Sequence, residues 1–297
     1  MKIFITGATG YIGGSVAIHL RKFGHEIRGL VRDNEKAEKL FGLGIEPVLG
    51  ELDNSVLLIR EAKRADAVIN AASSDHRGAV DAFIAALGGS GKRLLHTSGS
   101  SVVGDAVAGN VLSEKIYDEF KSFEVGPEKR ARYELDRYIL SASGLRGIVL
   151  CNSLIYGRGK GLQTASVQIP PLVKQAQKSG VVRIVGAGLN RWSTVHIDDM
   201  CELYRLALDK APGGAFYFVE NGESSFAEIG QSIAKRLGLG PVGSWTEEEA
   251  TEVWGLNRAR YSLGSNSRVR GLRARAELGW QPIHGSATEW IEREMEI

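Results

Sequence analysis

The chain has 297 residues, 43% of them hydrophobic, and a formal net charge of +2. That length supports one large domain, or one and a half, around a sizeable core. The charge is too small to argue for nucleic acid or an anionic membrane as a partner of the whole surface.

In chain order, Lys2–Thr6 reads as a strand and Tyr11–Phe23 as a helix. Strands follow at Glu26–Val31 and Ile45–Leu49, then a helical stretch from Ser55 to Lys63 and a fourth strand at Ala67–Asn70. Val80–Leu87 is helical and Arg93–Thr97 is a fifth strand. Short apolar runs separated by helices indicate a parallel sheet covered on both faces, with right-handed crossovers. A longer, more polar stretch runs from Gly99 to Phe123, and Pro127 then opens a helix that runs to Ala142. Arg146–Leu150 is a sixth strand. Beyond Tyr156 the pattern changes: Gly157–Gly161 is a loop, Pro170-Pro171 opens a helix, and Ile184–Leu189 ends in a glycine-rich turn. Ala215–Val219 is a late strand, and from Ser225 the chain is mostly helical.

This predicts a doubly wound α/β Rossmann domain over residues 1–160, with 190–220 returning to the sheet. Residues 161–189 and 221–297 form a smaller substrate lobe. Met1-Lys2 leads into only three apolar residues before the glycines, too few for the roughly 7–15 of a secretory h-region, so a cytoplasmic protein is expected. No apolar run approaches the roughly 20 residues of a membrane span. Cys151 and Cys201 sit in apolar segments without metal-type neighbours and read as reduced core residues. The histidines show no metal-ligand spacing, so no metal is expected, and no GxSxG elbow is present.

The first turn carries the strongest chemical signal. Ile5-Thr6-Gly7-Ala8-Thr9-Gly10-Tyr11-Ile12-Gly13-Gly14 spaces glycines at 7, 10 and 13, after a strand and at the start of a helix. Gly7 permits the sharp turn, Gly10 lets backbone approach a pyrophosphate, and Gly13 lets the helix pack on the sheet. Thr9, Tyr11 and Ile12 complete the cradle, whose free N–H groups and helix dipole favour phosphate. At the end of the second strand, Arg32 falls where a guanidinium would pair with a 2′-phosphate, which favours NADP. Asp33, one step further on, is the alternative ribose acid of an NAD site.

Further segments accompany this turn: Gly50-Glu51-Leu52-Asp53, Asn70-Ala71-Ala72 with Ser73 following, Thr97-Ser98-Gly99, Ile155-Tyr156-Gly157-Arg158-Gly159, Val195-His196-Ile197-Asp198-Asp199 and Leu278-Gly279-Trp280-Gln281-Pro282. In this order they resemble the extended or atypical short-chain dehydrogenase/reductases of the NAD-dependent epimerase/dehydratase group. The resemblance implies hydride transfer, with Asp53 at adenine and Ala71, Ala72 and Ser73 beside the cofactor. It implies Ser98 at the substrate carbonyl oxygen and His196 in a structural role. It also implies a Tyr general acid four residues before a Lys on one helix.

That pair is missing. Tyr133 and Arg137 give a YxxxR. A second alignment, anchored on Asp136 followed by Ile139-Leu140, puts Arg132 in the Lys slot and Glu128 in the Tyr slot. Helix phase supports it, because Ala131, Leu135, Ile139 and Ala142 form an apolar stripe from which Tyr133 is displaced. Arg132 would then contact cofactor ribose or phosphate, and Tyr117 is a candidate proton donor. The segment Arg258–Arg275 is either a solvated basic face or an anion site of the kind sugar-nucleotide enzymes use, with Arg191-Trp192 near the same pocket. Two functional classes follow. One is an NADP-dependent oxidoreductase or epimerase, with NAD as the alternative cofactor, acting on a small carbonyl or sugar-type substrate, with a homodimer as the candidate assembly. The other is an NADP-binding redox sensor with little catalysis, motivated by the missing YxxxK.

Overall fold

The computed structural model describes residues 1–297. The first half builds β1 (Lys2–Thr6), α1 (Tyr11–Lys22), β2 (Glu26–Val31), α2 (Asn34–Gly42), β3 (Glu46–Leu49), α3 (Ser55–Arg64), β4 (Ala67–Asn70), α4 (Arg77–Leu87) and β5 (Arg93–Gly99). There follow β6 (Tyr117–Asp118), α5 (Pro127–Leu140), β7 (Arg146–Asn152), β8 (Leu154–Tyr156), α6 (Ile169–Ser179) and β9 (Arg183–Val185). Next come β10 (Arg191–His196), α7 (Ile197–Lys210), β11 (Ala215–Val219), β12 (Glu223–Ser225), α8 (Phe226–Leu237), β13 (Gly243–Trp245) and α9 (Glu247–Trp254). The chain closes with α10 (Leu256–Arg258), a π-type turn over Ala259–Leu263, β14 (Val269–Arg270), α11 (Leu272–Leu278) and α12 (Ala287–Arg293).

The main sheet has seven strands in the order β11-β7-β5-β4-β1-β2-β3. Every pairing within it is parallel. The strand order reverses at β1, between β4 and β2, and ligands of open α/β sheets bind in the crevice at that switch point. Alternation along β1 shows why both faces are apolar: Ile3 and Ile5 enter the core shared with α1 and α7, while Phe4 enters the core shared with α3, α4 and α5. A third core, containing Trp192, Phe226, Ile229 and Ile291, joins α6, α8 and α12 to the small sheet β12-β10-β8. Of residues 190–220, only β11 enters the main sheet, whereas β10 lies in the small one.

Local chemistry explains where the elements differ from the sequence reading. Between the second and third strands, a segment the sequence pattern leaves unassigned, α2 forms with Asp33 as its cap, accepting from the Lys36 backbone N–H at 2.8 Å. β5 runs two residues past Thr97, paired in register with β7, so Ser98 sits at the carboxyl end of a strand. The apolar stripe of α5 is shorter than its sequence phase indicates: Leu135 and Ile139 are buried, but Ala131 is exposed.

Candidate functional site

The glycine turn has the shape its spacing requires. Gly7 has φ +73°, and a Cβ there would stand 2.6 Å from the Ala71 carbonyl oxygen. A Cβ on Gly13 would stand 2.4 Å from the Gly7 oxygen. Both positions therefore demand glycine, and together they draw β1, α1 and the Ala71-Ala72 backbone into one cradle. Gly10 is the N-cap of α1, with no side-chain cap and no acid in the first turn. The helix thus opens with free N–H groups and its positive dipole end, the arrangement that takes a phosphate. The uncapped helix end beside this close-packed turn fits a dinucleotide pyrophosphate.

From this turn a groove of about 560 Å³ runs across the carboxyl ends of the strands, lined by Gly7, Thr9, Gly10, Tyr11, Ile12, Arg32, Asp33, Asp53, Ala71 and Ala72. Arg32 is exposed at the end of β2 and has no ion-pair or hydrogen-bond partner, whereas the Asp33 carboxylate is held by the backbone N–H and the ammonium of Lys36. Asp53 accepts from or pairs with His76 Nε2 at 3.1 Å. Ser73 does not line the groove; its Oγ accepts from the Asp75 backbone N–H at 3.2 Å. Gly13 lies behind the turn as a packing residue.

A second cavity, of about 390 Å³, shares Tyr11, Ile12 and Val167 with the groove. Ser98, Ser101, Lys129, Arg132, Asn152, Trp192 and Tyr261 line it. The two form one cleft along the carboxyl ends of the strands. Arg132 bridges it: Nε and Nη2 donate to the two Asp75 oxygens at 2.7 and 2.6 Å, and Nη1 donates to Ser101 Oγ at 3.1 Å. The Arg132 hydrogen bonds hold the Asp75 carboxyl below its ordinary range. Burial, and then the Arg132 charge, hold the Lys129 ammonium below its usual value; it sits 5.1 Å over the Tyr261 ring.

The tyrosine candidates are not brought to this cleft. Tyr117 and Tyr133 both pack on Phe123, with ring centroids 5.9 and 5.4 Å away, in an aromatic cluster that includes Phe218. Arg137 and Glu128 are exposed on α5, so neither the YxxxR pair nor the Tyr slot of the second alignment supplies an acid at Ser98. Tyr11 lines the cleft, but its hydroxyl donates to the Gly157 carbonyl at 2.8 Å and burial pushes its pKa up. His196 caps α7, stacks on His284 at 4.0 Å and is pushed down to about 4 by burial, as suits a structural residue.

Behind Ser98 lies a buried polar chain that sequence reasoning missed. Ser98 Oγ donates to Asp136 Oδ2 at 2.6 Å. Asp136 Oδ1 faces His96 Nε2 at 3.7 Å, and neither of these atoms has a hydrogen-bond partner. Asn70 Nδ2 donates to His96 Nδ1 at 3.1 Å, and Thr6 Oγ1 donates to Asn70 Oδ1 at 2.7 Å. Burial pushes the Asp136 carboxyl up to about 7, against the Ser98 hydrogen bond and the Arg132 charge, and pushes His96 down to about 4. The available signal was an acid beside Leu135 and Ile139 on the inner face of α5.

From Arg260 onward the arginine-rich segment is largely spent on internal pairs. Arg268 and Arg270 meet Glu223, Arg273 meets Glu277, Arg275 meets Glu220, and Arg260 meets Glu247. Arg191 is likewise paired, with Glu228, so only Trp192 of Arg191-Trp192 lines the cleft. Arg258 stands apart, with Lys174 and Lys178, around a cavity of about 590 Å³ that also touches Tyr11. No helix is long and apolar enough to cross a membrane.

Comparison with known proteins agrees with this geometry. Residues 3–218 match the model of the NAD dependent epimerase/dehydratase family. An uncharacterised protein of Schizosaccharomyces pombe is 30% identical, covering 96% of both chains. A 4-hydroxy-2-methyl-3-oxo-4-farnesyl-3,4-dihydroquinoline-1-oxide ketoreductase of Stigmatella aurantiaca is 28% identical over 94% of this chain and 92% of its own. Among solved structures, a dTDP-glucose 4,6-dehydratase of Streptomyces venezuelae with NAD bound superposes with a TM-score of 0.77 at 19% identity. The superposition covers 99% of this chain and 95% of that one. At that identity the likeness speaks for the fold.

Proposed function

The chain belongs to the NAD-dependent epimerase/dehydratase family, and from that premise we propose that it is an NADP-preferring reductase of a small ketone. Its broader class, a nicotinamide-dependent oxidoreductase or epimerase/dehydratase-type enzyme, follows from family membership and from reductase relatives along most of the chain. A bound nicotinamide dinucleotide supplies or accepts hydride.

The observation that carries the reading is the single cleft in which the phosphate cradle leads to Ser98. The cradle of Gly7, Gly10 and the α1 N-terminus would hold the pyrophosphate. Arg32, free while Asp33 is occupied by Lys36, would take a 2′-phosphate. Arg132 would hold ribose hydroxyls beside Ser101, and Ser98 would hold the substrate oxygen. Residues 161–189 and 221–297 serve as the substrate-binding lobe and close the cleft through Val167, Gln168 and Tyr261. Lys174, Lys178 and Arg258 suit a substrate bearing an anionic tail.

Titrating NADPH and NADH by fluorescence, then measuring NADPH oxidation against a panel of ketones and nucleotide sugars, tests this. A ketone-dependent rate that collapses in Ser98→Ala supports the reductase. Tight NADPH binding without turnover across the panel would count against the reductase and favour the redox-sensor reading that the missing YxxxK motivates.

A further inference from the structure

We propose that Asp136 is the proton source of the cleft, acting through Ser98 on the oxygen of the substrate. The inference rests on the reductase reading above. Neither Tyr117 nor Tyr133 reaches the cavity, and Tyr261, which lines it beside Lys129, makes no hydrogen bond to Ser98. The side chain that does reach Ser98 is a buried carboxyl, 2.6 Å from its hydroxyl.

The direction of that hydrogen bond depends on the state of Asp136. An ionised carboxylate only accepts, so the Ser98 hydroxyl donates to it and offers no hydrogen to the cleft. A protonated carboxyl donates to Ser98 Oγ and frees the Ser98 proton for the cleft. The neighbours permit the protonated form. Asn70 Nδ2 is a donor, so His96 Nδ1 accepts and the neutral ring carries its proton on Nε2, facing Asp136 Oδ1. Cys151 on β7 is buried and its thiol is pushed well up, so it stays neutral. The charges that face Asp136 are Arg132 on its own helix and Asp75 after β4, and these two are bound to each other. Burial then keeps the carboxyl protonated into the neutral range.

For a reduction the balance is as follows. The carbonyl carbon of the substrate accepts a hydride, with a reduced nicotinamide dinucleotide as reductant, and the C=O π pair moves to oxygen. That oxygen takes the Ser98 hydroxyl proton, Ser98 Oγ takes the Asp136 proton, and Asp136 is left ionised. After the alcohol departs, water in the cleft returns a proton to Asp136 through Ser98. Ser98 is the catalytic residue in this scheme. Asp136 acts only through it.

Two readouts test the scheme. In the ligand-free protein, carbon-13 NMR of labelled aspartate carboxyls follows Asp136, assigned by its loss in Asp136→Asn. The expected result is titration near neutrality, moving upward in Ser98→Ala because the stabilising hydroxyl is gone. A carboxyl already ionised at pH 5 overturns the proposal whether or not any substrate is found. In turnover, kcat for ketone reduction should fall as pH rises through that titration. Asp136→Asn should lower kcat by about 100-fold or more and remove the pH limb. Ketone reduction by Asp136→Asn with the wild-type rate and pH profile overturns the proton source and leaves the reductase reading intact. Absence of turnover in the wild type removes the reductase reading, and the NMR titration then decides the protonation state alone. If Asp136→Asn does not fold, Ser98→Ala assigns the labelled peak by its response, and the carboxyl titration decides the proposal: ionisation already complete at pH 5 overturns it, titration near neutrality in step with the wild-type pH limb of kcat supports it.

Discussion

Replacing Asp136 with asparagine should make the protein more stable at high pH and no more stable in acid. Asp136 is fully buried, and burial lifts its carboxyl from an ordinary 3.8 to about 7. The native state therefore binds the proton more tightly than the unfolded chain. Below 3.8 both states are protonated and the group costs nothing; as pH rises to 7 the unfolded state gains stability from ionising while the native state does not. At about 1.36 kcal/mol per pH unit, the cost grows to roughly 4 kcal/mol above pH 7. Asparagine has the same shape and can still bond Ser98, but it never ionises. His96 works in the opposite sense, since burial lowers it to about 4 and its cost appears on acidification below its unfolded value. The quantity to measure is therefore the difference in unfolding free energy between variant and wild type, from urea titrations at half-unit steps between pH 4 and 9. The variant's advantage should be near zero at pH 4, rise through pH 5–7, and flatten at up to about 4 kcal/mol. A difference that is flat across the range, or that favours the wild type at pH 8, would refute the claim that a buried, largely uncompensated carboxyl sits behind Ser98.

Arg32→Ala should weaken NADPH binding by about 10-fold or more, the worth of one charge-assisted hydrogen bond, and leave NADH nearly untouched. Paired fluorescence titrations read this, and equal loss for both cofactors would remove Arg32 from the 2′-phosphate. Gly13→Ala forces a Cβ to within 2.4 Å of the Gly7 oxygen. It should cost about 1–3 kcal/mol in thermal or urea unfolding and weaken both dinucleotides. Tyr133→Phe should leave kcat and its pH profile unchanged, because the ring packs on Phe123 outside the cleft; a collapse of kcat would restore the YxxxR alignment.

The sequence alone determined the sheet and the cradle, because both are encoded locally. A run such as Lys2–Thr6 followed by Gly7, Gly10 and Gly13 specifies a strand, a turn with positive φ and a closely packed helix through contacts among near neighbours. The α5 alignment anchored on Asp136 rests on helical phase within one element, of which the structure keeps Leu135 and Ile139 buried and leaves Ala131 exposed. Tertiary structure decided what the helix brings to the cleft. Tyr117 and Tyr133 were plausible acids until Phe123 drew both rings into one cluster. In the basic segment, acids from β12, α9, α11 and the turn after β11 pair with the arginines from Arg260 onward and leave Arg258 at a cavity. Asp136 looked like an alignment marker, and its consequence appears only where β5 places Ser98 and His96 beside it. A carboxyl's proton affinity is set by the solvent it has lost and the dipoles it faces, and those come from residues far away in the chain. Local sequence cannot fix that, so the cradle was readable from fifteen residues while the acid behind it required the whole fold.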